Sequence, residues 1–260
     1  MQKQMVNGVN IAYERRGKGT PMVLVHGFPL DHTSWDALVP HLEGQVDLIL
    51  PDLRGMGQSD FNHAGAPEGA YTVADMATDV VSLLDALQVQ KVVVVGHSMG
   101  GYVALAFARA YPQRLAGLGL ISTQALPDAP ERKAGRYATA EQVATHGVSV
   151  VADAMAPKLT ANPDQVPALR ESILRQPAAG VIGALKAMAE RPDSTELIAT
   201  FKFPVAIVHG LADALIPVDR SREMKAFIPQ AVLTELPDVG HSPMLEAPAE
   251  TAQALKKVLS

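Results

Sequence analysis

The chain has 260 residues, 48% of them hydrophobic and 19% charged, with a formal net charge of −5. That balance gives no electrostatic case for nucleic acid, whose binding proteins usually carry a basic patch or stripe, and the absence of cysteine excludes disulfides and thiolate metal sites. The opening Met1-Gln2-Lys3-Gln4-Met5-Val6-Asn7-Gly8 has no apolar signal-peptide core and no apolar run reaches membrane-span length, so a cytoplasmic location is expected.

Asn7-Gly8, which suits a type I′ turn, separates runs 2–6 and 9–15 and predicts an antiparallel hairpin. Residues 22–25 read as a short buried strand, 35–42 as a short helix, and 46–50 as a strand closed by Pro51-Asp52. Over 72–87, apolar residues at Val73, Met76, Val80, Leu83, Leu84 and Leu87 recur at helical spacing. Residues 91–95 are the clearest strand, and their lack of polar alternation predicts burial on both faces of a parallel sheet. A helix rich in small residues follows at 99–110 and stops before Pro112. Strands at 115–121, 205–208 and 232–236 and a helix at 247–259 continue the alternation. The pattern predicts an α/β fold with a mostly parallel central sheet and helices on both faces.

Segment 123–199 breaks the rhythm, because one crossover between strands needs far fewer residues. It reads as several short helices: one with a capping-box start at Thr139-x-x-Gln142, then 148–155, 164–176 and 178–190, punctuated by Pro157, Pro163, Pro167 and Pro177. The expected organisation is a core domain of residues 1–122 and 200–260 with a helical cap at 123–199. Such an insertion falls where open α/β sheets bind ligands, beyond the carboxyl ends of the strands.

Gly96-His97-Ser98-Met99-Gly100-Gly101 sits directly between the 91–95 strand and the 99–110 helix. That is the setting of a G-x-S-x-G nucleophile elbow. A strand turning sharply into a helix holds Ser98 in a strained conformation with its hydroxyl exposed, and the flanking backbones come too close for a Cβ at Gly96 or Gly100. The helix start also places the Met99 N–H and the positive dipole end beside Ser98, where an oxyanion would develop.

The chain resembles the α/β-hydrolase family over nearly its whole length. His26-Gly27-Phe28-Pro29 is similar to that family's HGxP segment, and Asp52-Leu53-Arg54-Gly55-Met56-Gly57-Gln58-Ser59 to its D-x-R-G-x-G-x-S loop. The resemblance implies that the Phe28 N–H is the second oxyanion donor and that the Asp52 loop is structural. A serine hydroxyl needs a base, and there are eight histidines. His97 adjoins Ser98 on a turn that points it elsewhere, His26 and His209 precede glycines at strand ends, and His32, His41, His63 and His146 lack a matching motif. His241, in Asp238-Val239-Gly240-His241-Ser242-Pro243, matches the family's catalytic histidine loop. Asp213, after strand 205–208, stands where the family carries the acid, in the order Ser, Asp, His. Asp219 reads instead as a helix N-cap, and Asp238 is too close to His241 in sequence.

Within the family the chain looks most like bacterial carboxylesterases and 3-oxoadipate enol-lactonase-like serine hydrolases, although the cap lacks the tryptophan usual in the lactonases. The resemblance implies hydrolysis of small to medium carboxylic esters through an acyl-enzyme, with no cofactor and no metal. The expected partner is a small-molecule ester, without nucleic acid or membrane. An enol-lactonase or carbon–carbon bond hydrolase would use the same triad, and a ligand-sensing receptor with slow or single turnover is the alternative from another class. Leu126, Met155, Leu159, Leu185 and Met188 are candidate wall residues, and Arg132, Arg136 and Arg170 are candidate contacts for an acidic substrate.

Overall fold

A computed structural model describes residues 1–61 and 71–259; His63 lies outside the described residues. Asn7 and Gly8 take φ of 48° and 77°, the two positive values a type I′ turn requires. They join β1 (Gln2–Val6) to β2 (Val9–Gly17). The sheet continues through β3 (Thr20–Val25), β4 (Val46–Pro51), β5 (Val92–His97), β6 (Leu115–Ile121), β7 (Val205–Gly210) and β8 (Val232–Leu236). Its spatial order is β1-β2-β4-β3-β5-β6-β7-β8. The hairpin is antiparallel and pairs antiparallel with β4; the strands from β3 to β8 are parallel. Every residue of β5 is buried, as its unbroken valine run requires.

Helices cover both faces of this sheet. α1 (Val73–Ala86) starts at Thr72, whose side chain accepts from the Asp75 N–H while Asp75 accepts from the Thr72 N–H. α2 (Met99–Ala110) packs on β5 and against α1. Leading from β6 to β7 are α3 (Pro130–His146), α4 (Ser149–Met155), α5 (Val166–Leu174), α6 (Ala178–Ala189) and α7 (Thr195–Ile198). Buried residues of this segment, such as Val143, Leu159, Ile173 and Val181, belong to the same apolar core as the sheet. Then come α8 (Asp219–Phe227), α9 (Pro243–Glu246) and α10 (Pro248–Lys256). Among the described residues, no helix is long and apolar enough to cross a membrane.

Three local expectations are corrected. In place of one helix at 35–42 there are two 3-10 turns, His32–Trp35 and Val39–His41; Pro40 lacks the N–H that a continuous helix needs. Thr139 starts nothing: α3 opens on Pro130, and the Thr139 hydroxyl donates to the Gly135 carbonyl at 2.9 Å within the helix. Asp219 is the first residue of α8, with Val218 at the cap, and pairs with Arg222 at 3.0 Å.

The chain runs from β3 to β4 on one side and from β5 to β6 on the other. The loops after β3 and β5 therefore diverge at a topological switch point, the crevice where open α/β sheets take ligands.

Candidate active site

Ser98 sits between β5 and α2 at φ 51° and ψ −112°. Such a conformation costs a non-glycine residue about 1–3 kcal/mol, so the surroundings must hold it. The Ser98 N–H donates to the Ile121 carbonyl at 2.8 Å. Its carbonyl accepts from the Thr123 hydroxyl at 2.8 Å and from the Gly101 N–H at 2.9 Å. The end of β6 thus grips the turn. A Cβ on Gly96 would collide with the Gly100 carbonyl, and one on Gly100 with the Val25 carbonyl. That close approach seats the start of α2 against the end of β3, which leads into buried Phe28. Met99 opens α2, so its N–H has no intrahelical acceptor.

Asp213 and His241 meet on the loops after β7 and β8. His241 is 1% exposed, and its Nδ1 donates to Asp213 Oδ2 at 2.7 Å. Asp213 Oδ1 accepts from the Leu215 and Ile216 N–H groups at 2.8 and 3.0 Å. Beneath lies His209, with Nε2 3.3 Å from Asp213 Oδ2 and donating to the Ile216 carbonyl at 2.9 Å. His209 Nδ1 accepts from the Ser221 hydroxyl at 2.7 Å. Burial pushes the Asp213 carboxyl up, but His241 and the hydrogen bonds from His209, His241 and Ile216 outweigh it and hold it well below the usual carboxylate range. With Nδ1 committed to Asp213, Nε2 is the nitrogen of His241 left to take a proton.

The two halves are joined through His97. Its Nε2 donates to the His241 carbonyl at 2.8 Å, and the two rings lie 5.0 Å apart. Burial, then the neighbouring His241, lower the His97 imidazole to about 3, so it stays neutral at ordinary pH, with its one proton on the Nε2 that donates to the His241 carbonyl. The His241 loop is thereby docked on the residue preceding Ser98.

Glu246 holds the same loop from the other side. Its Oε2 accepts from the Gly240 N–H at 2.9 Å and from the Ala161 N–H at 2.8 Å, and its Oε1 from the Ser242 N–H at 3.2 Å. Gly240 approaches Ala161 too closely for a side chain. The donors on both sides of His241 and the segment after α4 therefore share one carboxylate. Sequence reasoning missed Glu246, Thr123, His209 and Ser221 as supports of this site. Only His209 carried a signal, a histidine at the end of the strand that leads to Asp213.

The loops that resembled family motifs are stapled internally. His26 Nε2 accepts from the Leu53 N–H at 2.9 Å and its Nδ1 donates to the Gly27 carbonyl at 2.9 Å. Buried Asp52 accepts from the His32 N–H and Nδ1 at 2.9 and 2.7 Å and from the Gln58 N–H at 2.8 Å. Asp31, His32 and Asp52 could be counted as a metal-ligating group. Yet Asp31 accepts from Thr33 and Gln176, so both carboxylates are already engaged by protein donors, and the cluster reads as a staple.

A cavity of about 370 Å³ lies beside Phe28 and Leu215. Of the candidate wall residues, Met155 and Leu185 line it. Leu126 lines a different cavity of about 240 Å³, near α8. Leu159 and Met188 are buried in the core at 0% and 3% exposure. Arg132 and Arg136 line the first cavity together with Lys158, whereas Arg170 pairs with Asp153 at 2.8 Å. A larger cavity of about 570 Å³, bounded by Leu30, Leu169, Arg175 and Leu245, touches neither Phe28 nor Leu215.

Ser98 stands in a strained turn at the switch point, and the Asp213–His241 pair lies on a loop bonded to the preceding residue, His97; the family model for the alpha/beta hydrolase fold matches residues 20–248. The chain belongs to the α/β-hydrolase fold family. A thermophilic esterase from Thermogutta terrifontis, solved with malate bound, matches with a TM-score of 0.93 and 39% identity, covering 100% of this chain and 98% of its own. The enol-lactonase of Burkholderia xenovorans LB400 shares the fold at a TM-score of 0.90, with 24% identity and 99% of each chain covered. Lipase 1 of Psychrobacter immobilis is 29% identical, covering 97% of this chain and 81% of its own length. Membership and these relatives support hydrolase activity.

Proposed function

We propose that the protein is a carboxylesterase-type serine hydrolase acting on small to medium esters through an acyl-enzyme. The observation that carries this reading is the 2.7 Å bond from His241 Nδ1 to Asp213 Oδ2, on a loop docked to the residue before Ser98. Ser98 Oγ attacks the ester carbonyl carbon as His241 Nε2 takes its proton. The carbonyl oxygen becomes an oxyanion facing the N–H groups of Phe28 and Met99, and one such donor is worth about 100- to 1,000-fold in rate. Asp213 keeps the imidazole in the required tautomer and stabilises the imidazolium. Collapse of the intermediate breaks the bond to the alkoxy oxygen, which leaves with the proton from His241. Water, deprotonated by His241, then attacks the acyl carbon; the bond to Ser98 Oγ breaks as Ser98 regains its proton from His241, and the carboxylic acid departs and ionises in solvent.

In this reading the helices between β6 and β7 cap the site, and Phe28, Met155, Leu185 and Leu215 form its apolar wall. The test is turnover of a 4-nitrophenyl ester series by the wild type and by Ser98→Ala. The variant is expected to lose roughly 10⁴-fold or more in kcat with its circular dichroism and melting curve retained. A substantial residual rate would reject Ser98 as nucleophile. A single burst with retained acyl group, in place of sustained turnover, would favour the receptor alternative.

A further inference from the structure

We infer that Ser221 and His209 are positioning residues that divide the charge of Asp213 between two imidazoles, and thereby set how far into acid the site stays active. This rests on the ester-hydrolase reading above and adds a control on that same site.

The tautomer of His209 follows from its neighbours. Its Nε2 lies 2.9 Å from the Ile216 carbonyl and 3.3 Å from Asp213 Oδ2. Both oxygens only accept, so Nε2 carries a proton. On the other side of the ring, Nδ1 is 2.7 Å from the Ser221 hydroxyl, which donates to the lone pair that a neutral imidazole keeps there. His209 closes β7 and Ser221 stands on α8, so the seating of that helix against that strand decides which nitrogen faces the carboxylate. Ser221, His209 and Asp213 line up like a second triad. Yet Ser221 is 0% exposed, which closes it to substrate and leaves positioning as its role.

Asp213 Oδ2 thus faces two ring N–H groups: His241 Nδ1 at 2.7 Å, and the longer approach of His209 Nε2, shared with the Ile216 carbonyl. Oδ1 is taken by the Leu215 and Ile216 N–H groups. A carboxylate met from a second side is a weaker base and stabilises the imidazolium of its partner less. Burial keeps solvent from levelling that difference. Burial itself raises the Asp213 carboxyl, while His241 and then His209 lower it, in keeping with two imidazoles drawing on one charge. The free base of the Asp213–His241 pair therefore persists to lower pH than it does beside an undivided carboxylate. Two further groups face these rings. Glu235, opposite His209 on β8, pairs with Arg222 at 2.7 Å. His97, 5.0 Å from the His241 ring, stays neutral at ordinary pH. Neither donates to Asp213.

The experiment follows kcat/KM for methyl butanoate against pH in the wild type, His209→Met, His209→Gln and Ser221→Ala. His209→Met fills the space without a donor. It is expected to move the acid limb up by about half a pH unit, about a threefold loss at a pH on that limb relative to the plateau. His209→Gln, whose amide donates from near the Nε2 position and does not titrate, is expected to restore the wild-type limb. Ser221→Ala is expected to move the limb in the same direction as His209→Met, by less. A merely structural role lowers the rate at every pH and leaves the limb in place. Nitrogen NMR of the wild-type rings at pH 8 adds a measurement that needs no variant: His209 is expected to carry its proton on Nε2. An acid limb unmoved in folded His209→Met, or a His209 proton on Nδ1, overturns this inference while the hydrolase reading stands. Absence of ester turnover in the wild type, with Ser98 unlabelled by a fluorophosphonate, overturns the hydrolase reading and this one with it.

Discussion

Glu246 shows how a single carboxylate holds the loop that carries His241. It accepts three backbone N–H groups, from Gly240 and Ser242 on either side of His241 and from Ala161. Hydrogen bonds to a charged group contribute about 1.5–3 kcal/mol each, and Glu246→Gln keeps the shape while replacing the charge with one amide oxygen acceptor. The variant is expected to lose about 1–3 kcal/mol in urea unfolding and roughly tenfold in kcat, with KM little changed, because the loop that carries His241 loosens. Equal losses in kcat and in substrate affinity would argue for a role in the pocket instead. Ser98 was legible because its motif is local: strand, turn and helix are contiguous in sequence. His241 and Asp213 were legible through loops that resemble a family's. Glu246 was not, because one of its partners, Ala161, belongs to a distant segment that only folding brings to Gly240.

Element boundaries follow local chemistry where a cap or a proline decides them. Thr72 and Asp75 form a reciprocal capping box at the start of α1 and contact none of Ser98, Asp213 and His241 in the hydrogen bonds of the described residues. Thr72→Ala is expected to cost about 1 kcal/mol in chemical denaturation while ester kinetics stay at the wild-type level. A change in kcat would mean that α1 communicates with the site. Strands β3, β5, β6 and β7 emerged as expected because buried parallel strands are written in largely apolar runs, whereas β8 at the sheet edge carries Thr234 and Glu235 and is only partly buried. The helix starts between β6 and β7 were less legible. Thr139-x-x-Gln142 has the residues of a cap, but α3 had already begun at Pro130, so the same side chain was spent inside the helix.

At the scale of the whole molecule, buried titratable groups set the acid limit of the fold. His97 is lowered to about 3 from an ordinary 6.5. Between those values the unfolded chain binds a proton that the native state refuses, so stability falls as pH falls. From about pH 7.5 to about pH 5 this amounts to roughly 2 kcal/mol, read as a drop in the urea midpoint. His97→Gln, which can still donate to the His241 carbonyl but does not titrate, is expected to show a smaller drop. Asp213 acts in a lower window. Its folded value is depressed, so it stabilises the protein above the ordinary carboxylate range and that contribution is lost as pH falls through the depressed value. An identical pH slope in the wild type and His97→Gln would remove His97 from this account.

The sequence by itself determined the sheet, the elbow and the loops that carry Asp213 and His241, because each depends on residues adjacent in the chain: apolar runs, close-approach glycines and short motifs. Only the tertiary structure decided which groups hold those loops, which cavity lies beside Phe28, and that the buried Asp128 side chain is shared among three arginines. Hydrogen bonds, desolvation and net local charge depend on distances between segments remote in sequence, and those distances exist only once the chain has folded.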